Sequence, residues 1–250
     1  MTLVKVVIPA RFNSSRLPGK PLLEINGKPI LWHVYQRCIE AGFSREDVVL
    51  ATDDSRIFAK AEELNLSVVM TSSAHESGTD RINEVASLKR WHSDDLVINV
   101  QGDEPLIPVK LIKDLVKFAL ERPCFSMFTA VTHLHSLDSF HNSNVVKAIV
   151  GEQNQALYFT RAAAPLSRDN ITCLELAYRH IGIYGYTVSA LKKFCSYKEA
   201  PLEVYEKLEQ LRALSHGMSI GVCHYLGELP HGVDTPEDYE LIKEIMESKT

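Results

Sequence analysis

Three cationic side chains, Arg11, Arg16 and Lys20, fall within ten consecutive residues that follow the first apolar segment of the chain. Residues 13–15 between them are Asn, Ser and Ser, which favour turns and leave backbone N–H groups able to donate hydrogen bonds. A bound triphosphate needs this combination of positive charge and donors. The alternative is a basic loop without a ligand, and there are too few glycines for a P-loop. Because the loop directly follows a predicted strand, we favour a phosphate site.

Two acidic motifs could supply ligands for a divalent cation. Asp103 follows Gln101 and Gly102 after an apolar segment, and the glycine permits close approach of the backbone. Asp234 lies in the later motif Gly-Val-Asp-Thr-Pro-Glu-Asp. Each motif also fits the start of a helix, where carboxylates and proline are common. Since Mg²⁺ prefers a few carboxylates with phosphate oxygens and water, two aspartates facing a triphosphate would suffice.

The second half of the chain carries polar residues suited to a sugar acid. Arg161 could form a bidentate pair with a carboxylate, the recognition task that a guanidinium performs best. His180 lies in the motif Arg-His-Ile-Gly-Ile-Tyr-Gly-Tyr, and Glu209 lies in Leu-Glu-Gln-Leu-Arg. Structural alternatives exist for each of them: a surface charge for Arg161, a core histidine for His180 and a solvated helix face for Glu209.

Short apolar segments predict the strands that must position these residues. In the first half they are segments 3–8, 48–51, 67–70 and 96–100. Helical periodicity separates them, with Asp54 or Ser55 and then Thr79 as candidate N-caps, and with Pro108 opening a further helix. Strands that alternate with helices predict an α/β fold, a doubly wound and mainly parallel sheet. Ligands then bind at the carboxyl ends of the strands.

The chain after Pro123 is less regular. Its strand candidates are segments 127–133, 145–149 and 181–186, followed by a helix over residues 201–216 and a final helix from near Pro236. We find neither an internal repeat nor a linker in the sequence, so a second domain would have to be a subdomain inserted in the same chain.

The composition excludes several classes of protein. With 250 residues, 45% of them hydrophobic, and a formal net charge of -5, the chain lacks the basic character of a nucleic-acid-binding protein. None of its five cysteines forms a C-x-x-C pair, and we expect them to be reduced and buried. The sequence shows no export signal and no stretch of about 20 apolar residues, so we expect a cytoplasmic protein with no membrane partner.

The N-terminal loop resembles the opening motif of the sugar-acid cytidylyltransferases. It runs Ile-Pro-Ala-Arg over residues 8–11 and Arg-Leu-Pro-Gly-Lys-Pro-Leu over residues 16–22. That ending, the Asn-Gly-Lys-Pro of residues 26–29 and the two motifs around His180 and Glu209 are similar to the 3-deoxy-manno-octulosonate (Kdo) branch. The resemblance extends from Val4 to about residue 242.

Membership of this branch implies transfer of CMP from CTP to Kdo, with release of pyrophosphate, for lipopolysaccharide synthesis. It implies a nucleotide-diphospho-sugar transferase-like fold and one nucleotidyltransferase domain over residues 1–250. A smaller sugar-binding and dimerisation subdomain would lie within about residues 124–200, and the protein would be a homodimer. The implied cofactor is Mg²⁺, bound by Asp103 and Asp234.

The resemblance also assigns site residues. Catalysis is assigned to Lys20, Arg16, Asp103 and Asp234. The nucleotide-binding set is Ala10, Arg11, Arg16, Lys20, Ser77, Gly78, Arg81, Gln101 and Asp103. The set that binds the sugar acid is Gln101, Arg161, His180, Tyr184, Glu209 and Gln210.

The sequence departs from the branch in one region. Residues 164–169 are Ala-Pro-Leu-Ser-Arg-Asp where the branch has Ile-Pro-Trp-x-Arg-Asp, and the loop from there to Arg179 is shorter than usual. These changes lie close in sequence to the sugar-binding set and leave 8-amino-3,8-dideoxy-manno-octulosonate as an alternative acceptor.

Three other functions are alternatives to this reaction. A glycosyltransferase could share the sheet and the metal but would release no pyrophosphate. A dinucleotide-dependent oxidoreductase is disfavoured because no G-x-G-x-x-G follows a strand. A non-catalytic CTP-binding sensor is disfavoured because both aspartates and all three cations are present.

Overall fold

The computed structural model of the chain describes residues 2–13, 16–75 and 77–248. These residues form two compact units. Unit 1 contains the residues up to Lys113 together with those from Glu228 onwards, and unit 2 is Asp114–Gly227.

Unit 1 is built on a parallel sheet. Its strands, in chain order, are β1 (Val4–Pro9), β2 (Glu24–Ile25), β3 (Lys28–Pro29), β4 (Val48–Thr52), β5 (Val68–Met70) and β6 (Leu96–Asn99). Strand β1 pairs in parallel with β4 and with β6, and β4 pairs in parallel with β5. Strands β2 and β3 form a separate antiparallel pair. Buried side chains dominate the central strands, as expected where both faces of a parallel sheet are covered.

In the spatial order β6-β1-β4-β5, successive strands are added first on one side of β1 and then on the other, so the order reverses between β1 and β6. The chain runs outward from β1 through β4 to β5, and then returns to the other side of β1 as β6. In an open α/β sheet, such a reversal creates a crevice at the carboxyl ends of the two strands that flank it. The residues that leave β1 and β6 are therefore placed at a natural ligand site.

The helices that follow these strands are α1 (Ile30–Glu40), α2 (Ser55–Glu63), α3 (Gly78–Leu88) and α4 (Val109–Glu121), of which α4 contains the boundary between the units. Asp54 caps α2, since its Oδ1 accepts from the N–H of Arg56 over 2.9 Å. The predicted cap Thr79 is wrong by two residues. Ser77 caps α3 instead, because its Oγ accepts from the N–H of Asp80 over 3.1 Å.

Unit 2 is a mixed structure. Its elements, in chain order, are β7 (Met127–His133), α5 (Leu137–His141), β8 (Lys147–Val150), β9 (Ala156–Thr160), β10 (Tyr178–Thr187), α6 (Val188–Cys195), α7 (Pro201–Glu206), α8 (Gln210–Ser215) and β11 (Ile220–His224). Strand β7 is antiparallel to β10 and parallel to β11, whereas β8 is antiparallel to both β9 and β10. The chain returns to unit 1 with α9 (Pro236–Glu247).

The single helix predicted over residues 201–216 is wrong, because the chain breaks there into α7 and α8. Lys207 adopts the left-handed conformation with φ +55° and ends α7. Its N–H still bonds to the carbonyl of Glu203, which satisfies one of the orphan acceptors at the helix end. Apolar periodicity continues across the break, so the sequence pattern conceals it.

The alternation of strands and helices in unit 1 confirms the predicted α/β class and its mainly parallel sheet. No helix in the described part of the chain is long and apolar enough to cross a membrane. The expected burial of the cysteines is confirmed for Cys38 and Cys223 and is wrong for Cys124, which is exposed, and for Cys173 and Cys195, which are half-buried. The predicted role of residues 124–200 as a dimerisation subdomain stays a prediction.

Candidate active site

The loop that leaves β1 is shaped by contacts of its own residues. Gly19 adopts φ +72° and donates its N–H to the carbonyl of Phe12 over 2.9 Å. A Cβ at Gly19 would lie 3.1 Å from the Phe12 ring, so glycine suits both the backbone angle and the space. The guanidinium of Arg56 covers the same ring at 3.3 Å from its centroid. These contacts fix the point at which Lys20 begins a short 3-10 helix over Lys20–Leu22.

Gly102 brings the end of β6 close to the end of β1. A Cβ at Gly102 would lie 2.5 Å from the carbonyl oxygen of Pro9, a distance that no side chain can occupy. The glycine thus lets the segment from Gln101 to Asp103 pass against the end of β1. The carbonyl of Asp103 also accepts from the N–H of Val233 over 2.9 Å, which ties in the segment that carries Asp234.

Lys20 joins the two predicted metal ligands. Its Nζ lies 2.7 Å from Oδ2 of Asp103 and 3.3 Å from Oδ1 of Asp234. Arg16 reaches the same cluster, with Nη2 at 3.1 Å from Oδ2 of Asp234. Lys20 is buried and Arg16 is 62% exposed, so the cluster has one enclosed cation and one cation accessible to solvent. The structure therefore brings together all four residues predicted to be catalytic.

This cluster suits a hard divalent cation. Among the described residues, no group of three or more His, Cys, Asp or Glu side chains is placed to hold a metal ion by itself. Two carboxylates that flank one positively charged nitrogen nevertheless provide oxygen ligands of the type that Mg²⁺ takes together with phosphate oxygens and water. Asp103 and Asp234 fit such an ion when a triphosphate completes its coordination.

A cavity of about 400 Å³ opens beside the cluster in unit 1. Four further predicted nucleotide-binding residues line it: Ala10, Arg11, Gly78 and Gln101. The backbone of Ala10 is fixed by a 2.9 Å bond from its N–H to the carbonyl of Ala51, and Arg11 Nη2 donates to the carbonyl of His75 over 2.8 Å. Ser14 and Ser15, also predicted to contribute donors, lie outside the described residues.

Ser77 and Arg81 make structural contacts within unit 1. The hydroxyl of Ser77 caps α3 and donates to Asp80 over 2.9 Å, so it orders the helix start beside Gly78. Arg81 is 0% exposed, donates from Nη1 to the hydroxyl of Thr71, and lies 3.1 Å from Asp53 through Nη2. A guanidinium in this position supports the surrounding loops, and its assignment to the nucleotide-binding set stays a prediction.

In unit 2, the structure brings His180 and Tyr184 together. Their ring centroids lie 5.4 Å apart, and Phe159 packs edge-on against His180 at 5.0 Å. Removal from water lowers the pKa of His180 to about 3, with a smaller contribution from the nearby Arg179 charge, so the ring is neutral. Burial and then the carboxylate of Glu209 raise the pKa of Tyr184 well above its usual value, so it keeps its proton.

Arg161 is engaged by backbone oxygens. Its Nε donates to the carbonyl of Glu206 over 2.7 Å, Nη1 to Ser143 over 3.0 Å and Nη2 to Lys207 over 3.4 Å. The carboxylate of Glu206 in turn accepts from the Arg161 N–H over 2.9 Å and from Thr160 over 2.8 Å. A bidentate pair with a sugar carboxylate would have to use the second N–H groups of Nη1 and Nη2, so the predicted role stays a prediction.

Glu209 and Gln210 begin α8, directly after the break at Lys207. Gln210 is buried, and its Nε2 has no hydrogen-bond partner among the residues that the structure describes. A buried donor without a partner is costly unless a ligand or a water molecule satisfies it. The position of Gln210 is thus consistent with the predicted contact to a polar ligand.

Sequence reasoning missed two residues that shape this part of unit 2. Glu206 anchors Arg161 from 45 positions away, and Thr129 bonds to His180 from 51 positions away. Neither residue belongs to a motif, and separations of this size leave no periodic signal. Sequence pattern alone could not have found them.

Comparison with known proteins gives consistent results. The cytidylyltransferase family model matches residues 5–220. A protein of Acinetobacter baumannii (strain SDF) named 3-deoxy-manno-octulosonate cytidylyltransferase is 44% identical over 241 residues, which cover 94% of each chain. A protein of the same name from Cellvibrio japonicus (strain Ueda107) is 43% identical over 250 residues and 97% of each chain.

Two solved structures are also similar. CMP:2-keto-3-deoxy-manno-octonic acid synthetase complexed with CTP has a TM-score of 0.92 at 35% identity, with all of both chains covered. A cytidylyltransferase from Leptospira borgpetersenii serovar Hardjo-bovis (strain JB197) has a TM-score of 0.62 at 22% identity and shares the fold. The family model matches most of the length of this chain, and relatives are more than 40% identical to it. The chain therefore belongs to the cytidylyltransferase family and is a nucleotidyltransferase.

Proposed function

We propose that the protein transfers CMP from CTP to 3-deoxy-manno-octulosonate and releases pyrophosphate. The observation that carries this proposal is the convergence of Lys20 and Arg16 on Asp103 and Asp234 beside the cavity of unit 1. The names of relatives that are 43–44% identical over nearly the whole chain support the choice of acceptor.

The reaction is an in-line displacement at the α-phosphorus of CTP. The anomeric hydroxyl oxygen of the sugar acid forms a bond to the α-phosphorus, the bond from that phosphorus to the bridging oxygen breaks, and pyrophosphate leaves. The hydroxyl proton passes to solvent. Nucleotidyl transfer of this kind depends on positioning and on stabilisation of negative charge, and the protein itself forms no covalent bond to the substrate.

The cations of the loop after β1 match the charge that develops. Lys20 and Arg16 would balance negative charge on the phosphates and on the pyrophosphate, and Arg11 lines the same cavity. Because Lys20 is buried, its charge acts in a medium less polarisable than water and is therefore more effective. Gly78 and Gln101 line the same cavity.

Mg²⁺ is the proposed cofactor, held by Asp103 and Asp234. When bound, the ion would neutralise phosphate charge and favour ionisation of the attacking hydroxyl. Lys20 would then exchange its carboxylate partners for phosphate oxygens, which offer an ammonium group the same type of acceptor.

The proposed acceptor residues other than Gln101 belong to unit 2. His180, Tyr184, Glu209 and Gln210 offer a neutral imidazole, a phenol, a carboxylate and an amide, a set suited to several sugar hydroxyl groups. Arg161 is the candidate for the sugar carboxylate. Near it in the sequence, Leu166 replaces the tryptophan expected from the resemblance and is 61% exposed.

Pyrophosphate release tests the proposal directly. The protein is incubated with CTP and Mg²⁺, and Kdo or its 8-amino analogue is supplied in separate reactions. We expect release that depends on Kdo and that produces the CMP conjugate in equal amount. Release only with the 8-amino analogue would move the acceptor assignment to that sugar, and no release with either, in folded protein, would contradict the proposal.

We further propose that the protein is a homodimer. Support comes from the family resemblance and from exposed apolar side chains in unit 2, among them Ile171, Leu176 and Tyr205. Light scattering on the purified protein should give twice the mass of one chain, and a monomeric mass at micromolar concentration would contradict the assembly.

A further inference from the structure

Strand β10 contains a bulge of two residues opposite Thr129. Ile181 lies opposite Ala130, but Tyr184, three positions further along β10, lies opposite Thr129. Gly182 and Ile183 are therefore inserted relative to β7. Because the insertion has an even number of residues, the side chains on either side of it keep their face of the sheet.

The bulge explains why His180 and Tyr184 touch. Residues four positions apart in a regular strand are separated by about 13 Å, the product of four steps of about 3.3 Å. In β10 the two residues lie opposite Val131 and Thr129, only two positions apart on β7. Their ring centroids are accordingly 5.4 Å apart. Bulges beside functional sites often redirect side chains in this way.

The hydroxyl of Thr129 contacts both the bulge and the imidazole. Its Oγ1 lies 2.9 Å from the carbonyl oxygen of Ile183, 3.2 Å from that of Ile181 and 2.9 Å from Nε2 of His180. Its side chain, on the same face as His180 and Tyr184, thus reaches the carbonyl just before the insertion and the carbonyl of the second inserted residue. A single hydroxyl therefore stabilises the bulge and touches the ring that the bulge repositions.

Proton counting favours one direction for these bonds, because donation to Nε2 would leave two oxygen–oxygen contacts without a proton. A hydroxyl has one proton, and a carbonyl oxygen can only accept, so the Thr129 proton is donated to a bulge carbonyl. In this arrangement the oxygen of Thr129 accepts from His180, which places a proton on Nε2. In a neutral imidazole the other nitrogen, Nδ1, carries the lone pair and is an acceptor.

We infer that Thr129 is a positioning residue of the acceptor site: it holds the β10 bulge and fixes the His180 tautomer whose Nδ1 accepts a hydrogen bond from a hydroxyl of the sugar acid. This inference rests on the proposed function, because it assigns the sugar acid to the cluster around His180. Thr129 contacts the substrate only through His180, so its effect is expected on binding of the sugar and not on binding of CTP.

Three variants separate this role from a general effect on the strand. Thr129→Val removes the hydroxyl at nearly constant volume, Thr129→Ser keeps it, and Thr132→Val makes the same change on β7 at a half-buried residue. We expect Thr129→Val to raise the KM for Kdo by about tenfold, because one hydrogen bond to a positioned ring is lost. The KM for CTP should be unchanged. Thr129→Ser and Thr132→Val should resemble the wild type.

Nitrogen-15 NMR of the ligand-free protein reads the tautomer itself, with the His180 signals identified by their loss in His180→Gln. We expect Nε2 to be protonated and Nδ1 unprotonated in the wild type, and a mixture of tautomers in Thr129→Val. A purely structural role for Thr129 would leave the tautomer unchanged in that variant.

Several results would overturn the inference. They are a proton on Nδ1 of His180 in the wild type, an unchanged KM for Kdo in folded Thr129→Val, or a KM for CTP raised as much as that for Kdo. If Thr129→Val does not fold, the wild-type spectrum and the kinetics of Thr129→Ser decide. Should the wild-type protein release no pyrophosphate with Kdo, the proposed function fails, and the spectrum still tests the hydroxyl contact separately.

Discussion

Nζ of Lys20 donates to Oδ2 of Asp103 over 2.7 Å, although 83 positions separate the two residues in the chain. The bond links the loop after β1 to the segment after β6, the two strands that flank the reversal of the sheet. Asp234 joins the same ammonium group at 3.3 Å. A cation therefore already lies between the two carboxylates that are proposed to bind Mg²⁺.

We expect Lys20→Met to bind Mn²⁺ more tightly than the wild type in the absence of nucleotide. The ammonium group of Lys20 competes with a metal ion for the two carboxylates, and couplings of this kind are usually worth about fivefold or more. Calorimetric or paramagnetic titration with Mn²⁺ measures the change. Lys5→Met is the matched control, because Lys5 pairs with Asp47 over 2.6 Å in the same unit. Equal Mn²⁺ affinity in both variants would contradict the competition.

Asp103→Asn should lower turnover by about 100-fold or more, as expected for removal of one charged group that acts on the reacting phosphates. The fold should persist, since the contact of Val233 uses the backbone carbonyl of residue 103. Pyrophosphate release and thermal unfolding measure the two effects. Asp47→Asn removes a carboxylate that pairs with Lys5 and should keep normal turnover. Wild-type turnover in Asp103→Asn would exclude that carboxylate from the mechanism.

For Arg161→Ala we expect a KM for Kdo that rises by about tenfold or more, with little change for CTP. The variant should also lose about 1–3 kcal/mol of stability, because Arg161 donates to the carbonyls of Ser143, Glu206 and Lys207. Kinetics with each substrate varied, together with urea unfolding, separate the two effects. Arg168→Ala, at an exposed position, is the control. If the variant loses stability but its KM for Kdo is unchanged, Arg161 has only a structural role.

Glu203→Ala should lower the free energy of unfolding by about 3–5 kcal/mol, the usual result of breaking a buried ion pair. Both carboxylate oxygens of Glu203 accept from Arg212, at distances of 2.6 to 3.2 Å, and the pair joins helix α7 to helix α8. Urea unfolding gives the measurement. Glu199→Ala, at an exposed position, should stay within about 0.5 kcal/mol of the wild type. A similarly small change in Glu203→Ala would show that the pair contributes little.

His180 should make the protein less stable as the pH falls from about 6.5 towards 3. Its pKa is about 3 in the folded protein, against an ordinary value of about 6.5, so between these values the unfolded chain binds a proton that the folded chain does not. The free energy of unfolding then falls with decreasing pH, by up to about 1.4 kcal/mol per pH unit. Urea unfolding of the wild type and His180→Gln at pH 7 and pH 5 isolates this contribution. Parallel pH dependence in the two proteins would contradict it.

Much of unit 1 could be predicted because its signals are local. The apolar segments that became β1, β4, β5 and β6 and the helices between them follow from short-range periodicity. Cationic residues follow β1 and a carboxylate follows β6. These residue types alone indicate a phosphate and metal site. Family resemblance then identified the nucleotide and the class of acceptor.

The tertiary structure alone decided which of these groups meet and how. Lys20 reaches Asp234 across 214 positions, Arg81 is buried against Thr71 and Asp53, and the break at Lys207 sets the start of α8. A two-residue bulge likewise joins His180 to Tyr184 opposite Thr129. Periodicity records only which face of an element a residue occupies. Contacts between distant segments and departures from regular backbone depend on packing of the whole unit, so no local pattern in the sequence contains them.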